Sequence, residues 1–445
     1  MLWFNDFTTL TAQISDIVWS VWTIFLLCGV GLLLTLKTRF VQITHFSTAL
    51  KLLFGVALKK DGADKGTGDI SPFQALSTSL SATIGNGNVA GVATAIAIGG
   101  PGAAFWMWTV ALFGMATKYA EVVLGLKYRY QTEDGSMLGG PMVYIKEGLG
   151  MKGLSFFFAI VTLFGGLGAG NMTQSNSIAL VLFSDFGFPK WLSGIILATG
   201  LWLVIVGGIK RIGRVAEMLV PSMALTYIIS CLIILSNNLS EIPASFALII
   251  DSAFSGTAAT GGFTGATVAR AMAYGFRRGT ISSEAGVGTA AIAHGAAQTS
   301  DPHSQGLLGM MGVFIDTMVV SSMTALVLVT TGAWSSGLIS TEMTAMAFKS
   351  ILPFGGIIII IVSALFGFTT MVGWAYYCEQ SLRYIGGINF SMPFRWAYCG
   401  LAGVGAIFQV KPLWDWADIF IGFMAFANLF ALIALSNDVR KISRP

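Results

Sequence analysis

The side chains that could do chemistry in this sequence are amides and hydroxyls set inside apolar runs. They are Asn86 and Asn88, Asn171 and Gln174, and the adjacent Thr369 and Thr370. Such groups hold a zwitterion or a bare cation through hydrogen bonds and lone pairs. The groups that make and break bonds are scattered. Cys28, Cys231, Cys378 and Cys399 fall in apolar stretches with neither metal nor disulfide spacing, and His45, His294 and His303 form no ligand cluster. No nucleophile can be placed beside a base. The pattern points to binding rather than catalysis.

The sharpest signal is Gly85-Asn86-Gly87-Asn88, in the middle of an apolar run that otherwise reads as a membrane helix. In hydrocarbon every peptide N–H and C=O needs a partner, and unwound backbone is tolerated only where it faces protein or a polar cavity. Close packing by small residues accounts for the glycines, but not for two amide side chains. The run therefore predicts a break that leaves half-helices 70–84 and 89–99. A helix starting near Val89 turns free N–H groups and its positive end toward an anion. A half-helix ending near Ile84 leaves carbonyl oxygens that suit Na+.

A second interruption is expected at GTAATGGFTG, residues 256–265, which would divide a run over 244–275 into 244–255 and 263–275. Two interrupted segments at equivalent places in two halves are the sequence mark of a secondary-transporter site.

The elements that must hold these residues are set by composition. Of the residues, 55% are hydrophobic and 10% charged, whereas soluble chains carry about 25% charged residues. The runs are continuous rather than alternating, so the chain reads as an all-α polytopic membrane protein and not a β-barrel. Eleven spans are expected, near 16–36, 70–99, 102–126, 154–183, 190–209, 215–236, 244–275, 306–333, 350–382, 393–409 and 415–437. An offset of five spans inverts the second copy. Spans 2–6 (70–236) and 7–11 (244–437) would then be inverted repeats in a single domain over 1–445, with one extra N-terminal helix. The first hydrophobic segment follows acidic Asp6 and Asp16 and precedes Lys37 and Arg39, the reverse of a cleaved signal peptide. With the N-terminus outside and the C-terminus cytoplasmic, all lysines and arginines except Lys118, Lys190, Arg270, Lys349 and Lys411 fall in cytoplasmic segments. That places the chain in a plasma or inner membrane and removes any need for a nucleic-acid partner. No obligatory protein partner is implied.

Other features are read with their alternatives. Asn171, Gln174 and Ser175 share a helix face, for a substrate or for an interhelical bond. Thr369 and Thr370 offer hydroxyls to a cation or back-bond to their helix. Trp374 closes a pocket or anchors at the interface. Lys118 and Glu121, three apart, predict a pair near the cytoplasmic side. Arg270 and Asp316 could pair between spans, or Asp316 could bind a cation or proton. FSTALKLLFGVALKK (46–60) reads as a helix in the interface or packed on the bundle. Segment 276–305 is too rich in small residues for a stable span; it is a re-entrant, gate-like or connecting element, and Ser282-Ser283-Glu284 resembles a helix start.

GNGNVAGVATAIAIGGPGAAFWMW (85–108), the stretch over 259–297 and GVFIDTMVVSSMTALVL (312–328) resemble the alanine or glycine:cation symporter family, across nearly the whole chain. The resemblance implies a LeuT-type fold, no enzymatic activity, and uptake of alanine or glycine coupled to Na+, or to H+. It implies that Asn86, Gly87 and Asn88 contact the carboxylate, and that carbonyls near Ser81 and Ile84 with hydroxyls of Thr369 and Thr370 hold sodium. Gly261, Gly262, Phe263, Gln174 and Trp374 would complete the pocket, with Asn171 and Thr370 beside it. The mechanism expected is alternating access; the rivals are a carrier of another small solute and an uncoupled channel.

Overall fold

Helix starts and interruptions, more than hydropathy, decide this architecture. The computed structural model describes residues 10–58 apart from Ala12, then 66–258, 260–408 and 411–443. Asp6, Lys59, Lys60, Lys65, Ala259 and Arg444, which entered the sequence reading, lie outside the described residues.

Helix α1 (Val21–Lys37) leads to the short α2 (Phe46–Ala57). An interrupted pair follows, α3 (Pro72–Thr83) and α4 (Gly87–Gly99), then α5 (Gly102–Lys127). A hairpin of β1 (Tyr130–Gln131) and β2 (Met137–Leu138) precedes α6 (Pro141–Leu149), α7 (Lys152–Phe186), α8 (Lys190–Ile205) and α9 (Gly208–Ser236). Next come α10 (Ile242–Ser255), α11 (Val268–Ser283) and α12 (Thr289–Gly295). The chain closes with α13 (Pro302–Thr330), α14 (Ser340–Lys349), α15 (Gly355–Gly386), α16 (Ser391–Gly405), α17 (Lys411–Ala434) and α18 (Ser436–Ile442).

Among the described residues seven helices are long and apolar enough to cross a membrane: Gln13–Lys37, which contains α1, then α5, α7, α9, α13, α15 and Trp414–Ala434 of α17. The expected spans near 190–209 and 393–409 are α8 and α16, of 16 and 15 residues. At ~1.5 Å per residue each falls short of a ~30 Å hydrocarbon core.

The break in the second expected span is present. Ser71 and Gln74 form a reciprocal cap at the start of α3, with Pro72 in its first turn. The helix ends at Ile84, whose N–H reaches Leu80 O. The Gly85 N–H then turns to Asn88 Oδ1 (2.9 Å), and the chain rewinds from Gly87 through a π turn. Asn88 is fully buried and faces α13. Its amide donates to Asp316 Oδ1 (2.7 Å), Asp316 O (3.1 Å) and Ser321 Oγ (3.1 Å). Thr324 donates to Asn88 O (2.8 Å). One side chain thus ends one half-helix and fixes the start of the next.

The second expected interruption is also present, since α10 ends at Ser255 and α11 starts at Val268, but it is not the one that opens onto the cavity. The chain does unwind after Ser255, but residues 256–258 and 260–267 fold into a turn, with paired bonds between Thr257 and Ala266 and between Thr260 and Phe263. Gly262 N donates to Ser335 O (2.6 Å), and Phe263 meets Trp334 edge-on. α11 then runs to Ser283, past the expected end, and the break that matters is Glu284–Gly288, with Glu284, Gly286 and Gly288 at φ 53°, 92° and 93°. Ser282-Ser283-Glu284 is therefore a helix end, not a start. Arg277 and Arg278 lie in α11 rather than in a cytoplasmic loop, and Arg277 is ion-paired with Asp418. Hydropathy missed α11 because that helix is held by close approach. A Cβ on Gly275 would stand 2.5 Å from Ala103 O, and one on Gly279 would stand 2.6 Å from Val110 Cγ1 of α5.

The two interrupted pairs run antiparallel: α3 lies on α12 and α4 on α11. α5 packs against α11, α12 and α13 and forms the centre of the bundle. At one end the start of α3 is stapled to the end of α12 by Asp69 N to Ala296 O (2.8 Å) and Gln298 N to Ile70 O (2.7 Å). Arg129 completes that staple by donating to Thr67 O, Gly295 O, Ala297 O and Thr299 O. α2 packs on α13, with Phe46 edge-on to Phe314, while Phe54 and Leu58 face outward. Lys127 and Tyr128 hold α18 by its Asp438, and these hydrogen bonds keep that carboxyl below its ordinary value. The four cysteines are free thiols.

Asn88→Ala strips Asp316 of a donor and Gly85 of its acceptor, at about 1–3 kcal/mol for each group left unpaired. The thermal midpoint of the purified protein should fall clearly; an unchanged midpoint would remove Asn88 from this role. Gly275→Val should also lower it, by about 1–3 kcal/mol of overpacking, measured the same way.

Candidate functional site

The break in each interrupted pair opens onto one cavity of about 980 Å³. Its floor is made by Thr83, Gly85, Asn86 and Gly87 of the first break, by Ser282 and Glu284 of the second, and by Gln174, Thr370 and Trp374. Its mouth is bordered by α14, by Asp185 at the end of α7 and by Trp414 and Asp418 of α17. The stapled ends of α3 and α12, with Arg129, do not line it.

Asn86 is 4% exposed; its amide donates to Gln174 Oε1 (3.2 Å), while its own Oδ1 has no partner. Gln174 Nε2 bonds back to Ala169 O (3.1 Å). Trp374 reaches the floor because α7 is pared down opposite it. A Cβ on Gly170 would stand 2.2 Å from the Trp374 ring, and one on Gly166 would stand 2.9 Å from it. Trp374 is 2% exposed, so it is a wall of the bundle rather than an interface anchor. Glu284 sits within reach of the Trp374 indole and accepts from Thr289 Oγ1 (2.5 Å). Ser282 donates to Asp316 (3.2 Å) behind the floor.

The expected sodium ligands fall partly together. The end of α3 lies on α15 so closely that a Cβ on Gly85 would be 2.5 Å from Thr370 Oγ1, and one on Gly373 would be 2.7 Å from Ser81 Oγ. Ser81, Ile84 and Thr370 therefore meet at the first break. Thr370 Oγ1 donates to Phe366 O (2.8 Å) and Ser81 Oγ to Thr78 O (2.8 Å), which leaves hydroxyl lone pairs for a cation. Thr369, one residue earlier, turns its hydroxyl to Leu365 O (3.0 Å) and to the Met223 sulfur of α9.

Other expected residues stand elsewhere. Asn88 is enclosed against α13 and does not line the cavity. Asn171 donates to Tyr398 O (2.7 Å) of α16. It and Gln174 part because Gly166–Met172 is a π stretch, which shifts the helix phase on which the shared face rested. Gly261, Gly262 and Phe263 lie in the 256–267 turn against Trp334 and Ser335, away from the cavity, because their glycines shape a turn rather than a break at the site. Lys118 and Glu121 are buried but not ion-paired, and Asp316 is bonded to Asn88, Ser282 and Thr317 rather than to Arg270, which is exposed. The residue that sequence reasoning missed is Glu284. Its signal was an acid among small residues, followed by Gly286 and Gly288.

Comparison with known proteins gives the family. Residues 4–444 match the model of the sodium:alanine symporter family. A transporter of Haemophilus influenzae is 44% identical over 435 residues, 97% of this chain and 94% of its own. The sodium/alanine symporter AgcS of Methanococcus maripaludis is 42% identical, over 98% and 96% of the two chains. The probable sodium/glutamine symporter GlnT of Bacillus subtilis is 35% identical, over 96% and 87%. Among solved structures, a mutant of the Eremococcus coleocola manganese transporter superposes on 81% of this chain and 77% of its own, with a TM-score of 0.51 at 12% identity, a likeness of fold alone. The chain belongs to the sodium:alanine symporter family, a family of membrane transporters and not of enzymes.

Proposed function

We propose that this protein imports a small neutral amino acid, alanine or glycine, together with Na+, by alternating access. The observation that carries the reading is the meeting of two broken helices at one polar floor, where Gly85–Gly87 and Glu284 face the same cavity. A zwitterion needs donors for its carboxylate and an acceptor for its ammonium. The start of α4 offers N–H groups and a positive helix end beside the Asn86 and Gln174 amides. Glu284 offers the acceptor. Trp374 limits the length of the side chain between them, which favours hydrogen or methyl. Na+ sits at the end of α3, among the Ser81 and Ile84 carbonyls and the Thr370 hydroxyl, where neutral oxygens suit a hard monovalent ion. The names of AgcS and GlnT support sodium and an amino acid as cargo.

The fold reading that goes with this is a LeuT-type pair of inverted repeats in one membrane domain. The second repeat begins at Val268 instead of 244, because the functional break is Glu284–Gly288. Helices five apart in the count of eleven spans pack together (α5 on α13, α7 on α15, α8 on α16), which favours it. With eleven crossings and the N-terminus outside, the basic residues lie mostly on the cytoplasmic side of a plasma or inner membrane. The mouth by α14 then faces out, and Arg129 closes the inner side.

Labelled alanine uptake into proteoliposomes tests this. An inward Na+ gradient should drive accumulation that vanishes when the gradient is removed. Asn86→Ala and Glu284→Gln should raise KM about tenfold or more, since a hydrogen bond to a charged group is worth about 1.5–3 kcal/mol, while the thermal midpoint stays near wild type. Uptake indifferent to the gradient would overturn the coupling and favour a channel.

A further inference from the structure

Beside the second break, four ionisable groups are shut away from solvent. Lys118 and Glu121 of α5 are 2% and 0% exposed, Glu284 is 3% and Asp316 is 0%. Among the described residues none of the four stands in an ion pair. Lys118 is near enough for its charge to bear on Glu121, Glu284, Asp316 and His294, yet its Nζ has no hydrogen-bond partner. Three acids enclosed with two bases, Lys118 and His294, carry a surplus of negative charge at membrane depth when all are ionised. Such a surplus must be balanced by a bound cation or by protons.

The hydrogen bonds identify which acid takes the proton. Asp316 accepts from Asn88, Thr317 and Ser282, and Glu284 from Thr289. Glu121 is one-sided. Its Oε1 accepts from Gly286 N and from Asn428 Nδ2, both at 2.8 Å, while its Oε2 has no partner. No donor is aimed at Oε2, so that oxygen is the one with room for a proton, while Oε1 serves as the accepting carbonyl. Glu121 and Lys118 are three residues apart, a spacing that lets them meet on one helix face. Their two unpartnered atoms are the members of an ion pair that has not formed.

Glu121 is also wired to the cargo site. Gly286, whose N–H it holds, lies two residues from Glu284 on the cavity floor. The titratable groups that face Glu121 are Lys118 on its own helix and Tyr144 and Tyr377 from α6 and α15, while Glu284 just past α11, His294 of α12 and Asp316 of α13 face Lys118.

We propose that Glu121 with Lys118 is a proton site, separate from the sodium and amino-acid sites. The empty carrier holds a proton on Glu121 Oε2 and gives it up when Na+ and amino acid bind. This rests on the symporter reading above. Arrival of the ammonium at Glu284 and of Na+ at the first break adds positive charge to the enclosed group. The Glu121 O–H bond breaks, the electron pair stays on Oε2, and the proton passes to water. The new carboxylate closes onto the Lys118 ammonium. Each loading event thus releases a proton.

Calorimetry on the full-length purified protein tests this. Alanine is titrated in NaCl at one pH, in phosphate and in Tris, whose ionisation enthalpies differ. The heats should differ by the equivalent of on the order of one proton released per alanine. Glu121→Gln, which copies the protonated acid and keeps the acceptor for Gly286, should still bind alanine with the buffer difference abolished. Lys118→Met should bind with the difference much reduced. Equal heats in the two buffers for wild type overturn the proton site alone, as does a full buffer difference in Glu121→Gln. No alanine heat at all overturns the amino-acid reading and this inference with it.

Discussion

The arrangement depends on one exchange of hydrogen bonds, in which Asn88 takes the place of the peptide groups that a continuous helix would have supplied. An unwound segment in a low-dielectric interior is stable only if its freed groups are met. Asn88 meets Gly85 N on one side and Asp316 and Ser321 on the other. Without it the first break has no reason to stay open at that place. The rest follows from where the break is held: the end of α3 is free to lie on Thr370, and the start of α4 turns toward the cavity.

The second break is held differently. Glycines at positive φ carry the turn, held from outside by the buried Glu121 at Gly286 N and by the Asn428 amide at Gly286 O. The two interruptions are therefore unequal. The first is tied to α13 and the second to α5 and, through Asn428, to α17. A movement of the bundle against its scaffold can pull on them separately.

This difference explains what the sequence disclosed. The first break was legible to within a residue or two, because asparagines between glycines have no place in a lipid-facing helix. Asn86, Gly87, Gln174, Thr370 and Trp374, expected beside it, line the cavity onto which it opens. The second break was not legible, because α11 is buried by glycines fitting under α5 and has little apolar excess to mark it. A glycine-rich turn just before it carried the louder signal and drew Gly261, Gly262 and Phe263 into the wrong role. Asn171 was misjudged for a subtler reason. A spacing of three residues gives a shared face only on a regular helix, and the π stretch at Gly166–Met172 adds a residue to the turn. Hydropathy likewise located all seven helices that are long and apolar enough to cross a membrane, and the shorter α8 and α16, which pack against each other.

Arg129 gives the closed end of the molecule a particular character. It grips four backbone carbonyls at once and no carboxylate. A guanidinium keeps its charge across the physiological range, and carbonyls do not ionise, so acidity cannot loosen this grip. Nor can a single residue's fluctuation, since the remaining contacts hold the planar fork in register. Parting the two helix ends means giving up all four bonds. Under the alternating access proposed above, a closure that yields as one piece keeps a path from opening from side to side.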